Sequence, residues 1–370
     1  MRTGVESRPR RYPPGRPDVH GQNGWCQGSL EQSLNPNLQQ STNIRGRHPD
    51  VRQQLVRELV TAAAWNKSVL VEYVEMTGGD RWFEEQFVRR ETITTSGGYI
   101  SVVDVTPVDY DAQHDRTPVV FVPGFLANLE GFQLTMKAFA ATGKRVVSLT
   151  NSYQRSRTYR GESFPNVIIQ KCEDLLTLVR EKGLVGCDVV AHSAGFTVSV
   201  ISSRIHSEAQ EGVQPFRIIE GVAPHGLRRL DSGDALRGPM MIVQGAREMI
   251  SHPNVGPILG ATFDYLRKGA RRMSQEAMAL MRVEVADIVN ELGPATDVGV
   301  LLVPGDEVIS ARKHYEMFER GSVSVSAVST VVNRYAKHAA VLLDPITIGA
   351  AVAMLDSMRD ARTSREERAT

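Results

Sequence analysis

Cysteine is scarce in this chain of 370 residues: there are three, Cys26, Cys172 and Cys187, in no CxxC or Cys/His ligand spacing. That excludes a disulfide framework and a cysteine zinc site, and leaves buried or idle thiols. An excess of charge of one sign is lacking as well. Lysine plus arginine total 43 against 42 for aspartate plus glutamate, so the protein's overall field offers no general attraction to nucleic acid or to an acidic membrane. No segment approaches the ~20 consecutive apolar residues of a membrane span. The N-terminus also lacks the hydrophobic stretch of roughly 7–15 residues that a secretory signal needs. Gly-rich phosphate loops, metal-ligand clusters and stacking-aromatic modules are absent too, so neither a cofactor, a metal nor a nucleic-acid partner is expected. A soluble, cytoplasmic protein follows by default.

What is present divides the chain unevenly. Residues 1–49 are rich in Arg, Pro, Gly, Gln and Asn without a sustained apolar run, a composition expected to stay disordered because it buries too little surface to offset the entropy of ordering. The rest has ordinary globular composition, with 41% hydrophobic residues in the whole chain. From Val51 to Met76 apolar residues recur at helical spacing and predict a lead-in helix. Phe87–Thr94 and Tyr99–Val105 are β-like, with Ser96-Gly97-Gly98 as a hairpin turn between them. Unbroken apolar runs follow at Pro118–Val122, Arg145–Leu149, Cys187–Ala191, Phe216–Val222, Val298–Val303 and Val323–Val328, most of them trailed by a helical stretch. Short apolar strands alternating with helices predict an α/β chain with a doubly wound, mostly parallel sheet, buried on both faces. Such sheets bind ligands at the carboxyl ends of their strands.

One interval interrupts the rhythm. About 75 residues separate Ala223 from Val298, far more than a βα loop uses. Residues 224–297 are therefore expected to form a helical cap inserted into a core made of 50–223 and 298–370. Methionines crowd that interval, at Met240, Met241, Met249, Met273, Met278 and Met281, and unbranched thioethers suit an adaptable apolar pocket as well as the cap's own interior.

The most informative segment is Asp188-Val189-Val190-Ala191-His192-Ser193-Ala194-Gly195-Phe196, a strand running into a helix through a small-x-Ser-x-small turn. Presenting a hydroxyl at the tip of so sharp a turn presses the flanking positions against neighbouring chain, where only small residues fit. The segment resembles the nucleophile elbow of the α/β-hydrolases, with Ala191 in place of the first glycine. A serine that merely caps the following helix is the plainer alternative.

The resemblance, which covers roughly Val119 to Leu355, implies a catalytic triad. An unactivated serine needs an adjacent base. His338, in Lys337-His338-Ala339-Ala340-Val341-Leu342-Leu343-Asp344-Pro345, has the family's placement, past the last strand and before a helix opening at Pro345. His192 is expected to point away along the strand end, and His114, His225, His252 and His314 to lack a supporting position. The imidazole needs an acidic partner. Asp306, in Val303-Pro304-Gly305-Asp306-Glu307, resembles the family's acid, with Glu307 and then Glu220 as alternatives. The order Ser, Asp, His is the one this fold uses. The amides of Ala194 and Phe125 are the expected oxyanion donors, the latter from Val122-Pro123-Gly124-Phe125, which reads equally as an ordinary turn. The implied activity is an esterase- or lipase-like serine hydrolase acting on a small-molecule ester with an apolar acyl group. An acyltransferase with the same triad, or a catalytically silent ligand-binding relative, stands beside it.

Overall fold

Two β-branched segments joined at Ser96-Gly97 form the hairpin the sequence predicts. β1 (Val88–Thr95) and β2 (Gly98–Val105) pair antiparallel, in a register running from Val88↔Val105 to Thr95↔Gly98. Gly98 re-enters the ladder at φ 134°, a conformation that side chains resist. β1 is the sheet's edge, and its outward Arg89, Arg90 and Glu91 are of the charged kind that discourages pairing with another chain. The computed structural model describes residues 88–107, 117–125, 127, 132–151, 166–210, 212–229, 274–331, 338 and 344–369. The expected tail at 1–49, the lead-in helix and residues 230–273 of the expected cap lie outside the described residues.

The other strands are the apolar runs: β3 (Val119–Val122), β4 (Val146–Thr150), β5 (Cys187–His192), β6 (Phe216–Val222), β7 (Asp297–Leu302) and β8 (Ala327–Thr330). Every residue of β3, β4, β5 and β7 is buried, as in a sheet covered on both faces. The eight strands lie in the order β1-β2-β4-β3-β5-β6-β7-β8, with β2 antiparallel to β4 and all later pairs parallel. β3 therefore lies between β4 on one side and β5 on the other, and its Val122 is level with Ala191. The chain moves outward in both directions from that point, so the loops leaving β3 and β5 lie side by side at the carboxyl ends of their strands.

Among the described residues the helices include α1 (Gln133–Ala141), α2 (Asn166–Glu181), α3 (Ala194–Ala209), α4 (Ala286–Leu292), α5 (Ala311–Glu319) and α6 (Pro345–Ala369). α2, α3 and α4 bury Leu175, Phe196 and Val289 in the core on one face. On the other, α1 and α6 bury Phe139 and Leu355. No helix among the described residues is long and apolar enough to cross a membrane.

Two expectations change in detail. The run Val323–Val328 predicts a strand, yet β8 is Ala327–Thr330. The Asn290 side chain accepts a bond from the Ser324 amide at 2.7 Å and donates to the Ser322 carbonyl at 3.3 Å, which holds this stretch against α4 until Ser326 joins β7. The last part of the expected cap, α4, is a crossover helix between β6 and β7 whose Val289 and Leu292 share the core with α3. Of the six methionines, Met278 and Met281 are described; Met278 is 40% exposed and Met281 half-buried, so neither belongs to the fully buried interior.

Candidate active site

Ser193 stands between β5 and α3 at φ 50°, ψ −119°, a backbone that a side chain enters only under constraint. The constraint is visible on both sides. The Ser193 amide donates to the Val222 carbonyl on β6 at 3.0 Å, and its carbonyl accepts from the amides of Phe196 and His225, each at 3.1 Å. Gly195 explains the need for a small residue after the serine. A Cβ there would stand 2.3 Å from the Val122 carbonyl oxygen and 2.8 Å from that of Pro123, both backbone atoms. α3 thus packs directly on the loop leaving β3, and nothing larger than hydrogen fits between them.

The structure brings Ser193, His338 and Asp306 together from well-separated parts of the sequence. His338 Nε2 is 2.9 Å from Ser193 Oγ, and its Nδ1 is 2.6 Å from Asp306 Oδ2. Since a carboxylate only accepts, Nδ1 carries the proton and Nε2 is left as the acceptor for the serine hydroxyl. The other oxygen of Asp306 accepts from the amides of Val308 and Ile309, both at 2.8 Å, which fixes the carboxylate's plane. Burial opposes a charge on His338, but the charge of Asp306, its hydrogen bond and the charge of Glu307 outweigh it, and the ring's pKa is raised.

Of the two expected oxyanion residues, Ala194 follows the serine directly and Phe125 follows Gly124 in the loop after β3. Ala194 is the first residue of α3, where a helix leaves its amides without intrahelical acceptors. Phe125 lies in the loop after β3, half-buried against the core. A Cβ on Gly124 would stand 3.1 Å from Ser193 Cβ, a measure of how closely that loop passes the hydroxyl.

Of the alternatives to Asp306, Glu307 contributes only its charge among the interactions described at the imidazole. Glu220 lies buried on β6, both of its carboxyl oxygens lack a hydrogen-bond partner among the described residues, and burial followed by the charge of Asp356 holds its pKa well above the usual value.

Two histidines set aside at the sequence level belong to the site's surroundings. His192 packs against the catalytic candidate, its ring centroid 4.9 Å from that of His338 and its Nε2 3.1 Å from the His338 carbonyl. Strand alternation puts His192 on the face opposite Ala191, but its partner is 146 positions away in sequence and nothing local marks it. His225 binds the Ser193 carbonyl through its amide, and Thr197 donates to its carbonyl at 2.8 Å. Burial, then the neighbouring charges of His314, His338 and Arg228, hold the His225 ring down to about 3, so it is neutral and structural at ordinary pH.

No protein-family model matches the sequence, and no curated relative does. Solved structures do match. A serine hydrolase from Cycloclasticus zankles aligns with a TM-score of 0.55 at 12% identity, over 73% of this chain and 99% of its own. A bacterial membrane phospholipase A aligns with a TM-score of 0.55 at 14% identity, over 81% and 93%. An esterase from Exiguobacterium antarcticum aligns with a TM-score of 0.54 at 14% identity, over 73% and 100%. With so little sequence in common, the likeness lies in the course of the backbone, and it shows that this chain has the α/β-hydrolase fold.

Proposed function

We propose that the protein is a serine hydrolase that cleaves carboxylic esters with an apolar acyl part through an acyl-enzyme intermediate. The observation that carries this reading is the continuous relay from Ser193 Oγ to His338 Nε2 at 2.9 Å and from His338 Nδ1 to Asp306 Oδ2 at 2.6 Å. Ser193 Oγ attacks the acyl carbon as its proton passes to His338 Nε2. His338, now a cation beside the Asp306 carboxylate, gives that proton to the oxygen of the leaving alcohol. A water then yields a proton to the same nitrogen and attacks the acyl carbon. Ser193 leaves with its proton restored, and the acid is released. The amides of Ala194 and Phe125 stabilise the oxyanion in both halves, aided by the positive end of α3.

The apolar side of the substrate rests on the surroundings. Phe125, half-buried in the loop after β3, packs on the same apolar cluster that holds Ala194 and Phe196. Acyl groups then gain up to about 0.8 kcal/mol for each methylene they bury.

Incubation with a fluorophosphonate probe tests the chemistry, and a p-nitrophenyl ester series of graded chain length tests the acyl preference. The expected results are covalent labelling at Ser193 and a rise in kcat/KM from acetyl to octanoyl. No labelling of the folded protein overturns the hydrolase reading, and equal kcat/KM along the series overturns the acyl preference alone.

A further inference from the structure

His192 occupies a position that neither the nucleophile, the base nor the acid explains. It ends β5 immediately before Ser193, 4% exposed, and its ring lies against those of Phe132 and His338, with centroids 5.8 Å and 4.9 Å away. Its Nε2 lies 3.1 Å from the main-chain carbonyl of His338. A carbonyl oxygen only accepts, so the proton of the His192 ring is on Nε2 and Nδ1 is an acceptor. Burial, and then the adjacent His338, push the pKa of His192 well below its ordinary value, so the ring stays neutral and holds one tautomer.

The acceptor side is unusual. Nδ1 of His192 is buried without a hydrogen-bond partner among the described residues. It faces Gly124, where an added Cβ would stand 2.9 Å from Nδ1 and 3.1 Å from Ser193 Cβ. One neutral ring therefore reaches from the loop after β3, which carries Phe125, to the main chain of the base, while joined by a peptide bond to the nucleophile. His338 belongs to neither β8 nor α6, and the donor bond from His192, at the end of β5, ties its main chain to the sheet.

We propose that His192 is a positioning residue: its Nε2–H anchors the His338 carbonyl and thereby holds the imidazole of His338 in line with Ser193 Oγ. The inference rests on the reading of Ser193, His338 and Asp306 as a triad. A misplacement of the base by about 1 Å lowers turnover on the order of 100-fold, so a single bond at this point governs the rate without touching substrate.

The test compares His192→Leu, which keeps volume and loses the donor, with His192→Gln, whose amide N–H reaches the same carbonyl. On a p-nitrophenyl ester His192→Leu lowers kcat on the order of 10- to 100-fold with KM within about twofold of the unaltered protein, and fluorophosphonate labelling slows in parallel. His192→Gln recovers most of both. A folded His192→Leu variant with unchanged kcat and labelling rate overturns the positioning role and leaves the triad standing. Failure of the unaltered protein to label at Ser193 overturns the triad reading, and the positioning role with it. Should His192→Leu not fold, nitrogen-15 NMR of the histidine side chains in the unaltered protein decides the matter. The Nε2–H tautomer of His192, constant from about pH 5 to about pH 9, is expected. An Nδ1–H tautomer, or a ring that titrates in that range, overturns the proposal.

Discussion

At the scale of single residues, Ser193 holds a left-handed backbone that glycine would accept without penalty. Ser193→Gly is expected to abolish ester turnover and probe labelling while raising stability by about 1 kcal/mol, read from chemical denaturation. Such a gain on losing the side chain is what a strained functional turn predicts and what a helix-capping serine does not. In the proposed triad Asp306 works through His338, to which it is hydrogen-bonded at 2.6 Å. Asp306→Asn is expected to lower kcat by about 10³–10⁴, and the double variant with His338→Ala to be little worse than His338→Ala, since the two work as a unit. The charge and hydrogen bond of Asp306 raise the pKa of His338, so in Asp306→Asn the acid limb of the kcat/KM profile moves to lower pH. A limb that stays in place, together with a severe effect of Glu307→Gln, transfers the role of acid to Glu307.

At the scale of elements, the site depends on how closely neighbouring pieces approach. Gly195→Ala would drive a methyl into the carbonyls of Val122 and Pro123. It is expected to cost about 1–3 kcal/mol and to slow labelling, because α3 and the loop after β3 must separate. A second junction joins α2 to the helical stretch at 274–282, where Lys171 and Glu276 meet inside the protein, 2% and 0% exposed. Burial pushes the Lys171 ammonium down to about 7 and the Glu276 carboxyl well up, so both partners are drawn toward neutrality while bonded to each other. Removing one takes from the other the bond they share inside the protein. Glu276→Leu is expected to lose about 3–5 kcal/mol, and Lys171→Met with Glu276→Leu to recover most of that loss. A double variant no better than the single would show that the pair does not couple these two pieces.

At the scale of the whole molecule, buried titratable groups shape stability against pH. His192 and His225 are neutral in the fold, with pKa values below the free ring's 6.5. Their stabilisation is complete above that pH and is lost as pH falls from it toward their folded values. Glu220 acts in the opposite sense. Its folded pKa lies well above the ordinary carboxyl value of 4.5, so its contribution is complete below that pH and declines as pH rises toward the folded value. Thermal melts across pH are therefore expected to show Glu220→Gln gaining on the unaltered protein as pH rises, and equal slopes above neutrality would remove Glu220 as the cause. The sequence by itself determined the hairpin at Ser96-Gly97, five of the six later strands nearly to the residue and the sharp strand-to-helix turn at Ser193, because turn chemistry, unbroken apolar runs and small residues at tight bends are local preferences of the chain. Only the tertiary structure decided that His192 bonds the main chain of His338, that His225 braces the Ser193 carbonyl, that Asn290 delays the start of β8, and that Lys171 meets Glu276. Each of these joins residues more than 25 positions apart, and such contacts exist only once the sheet has set the strand ends side by side.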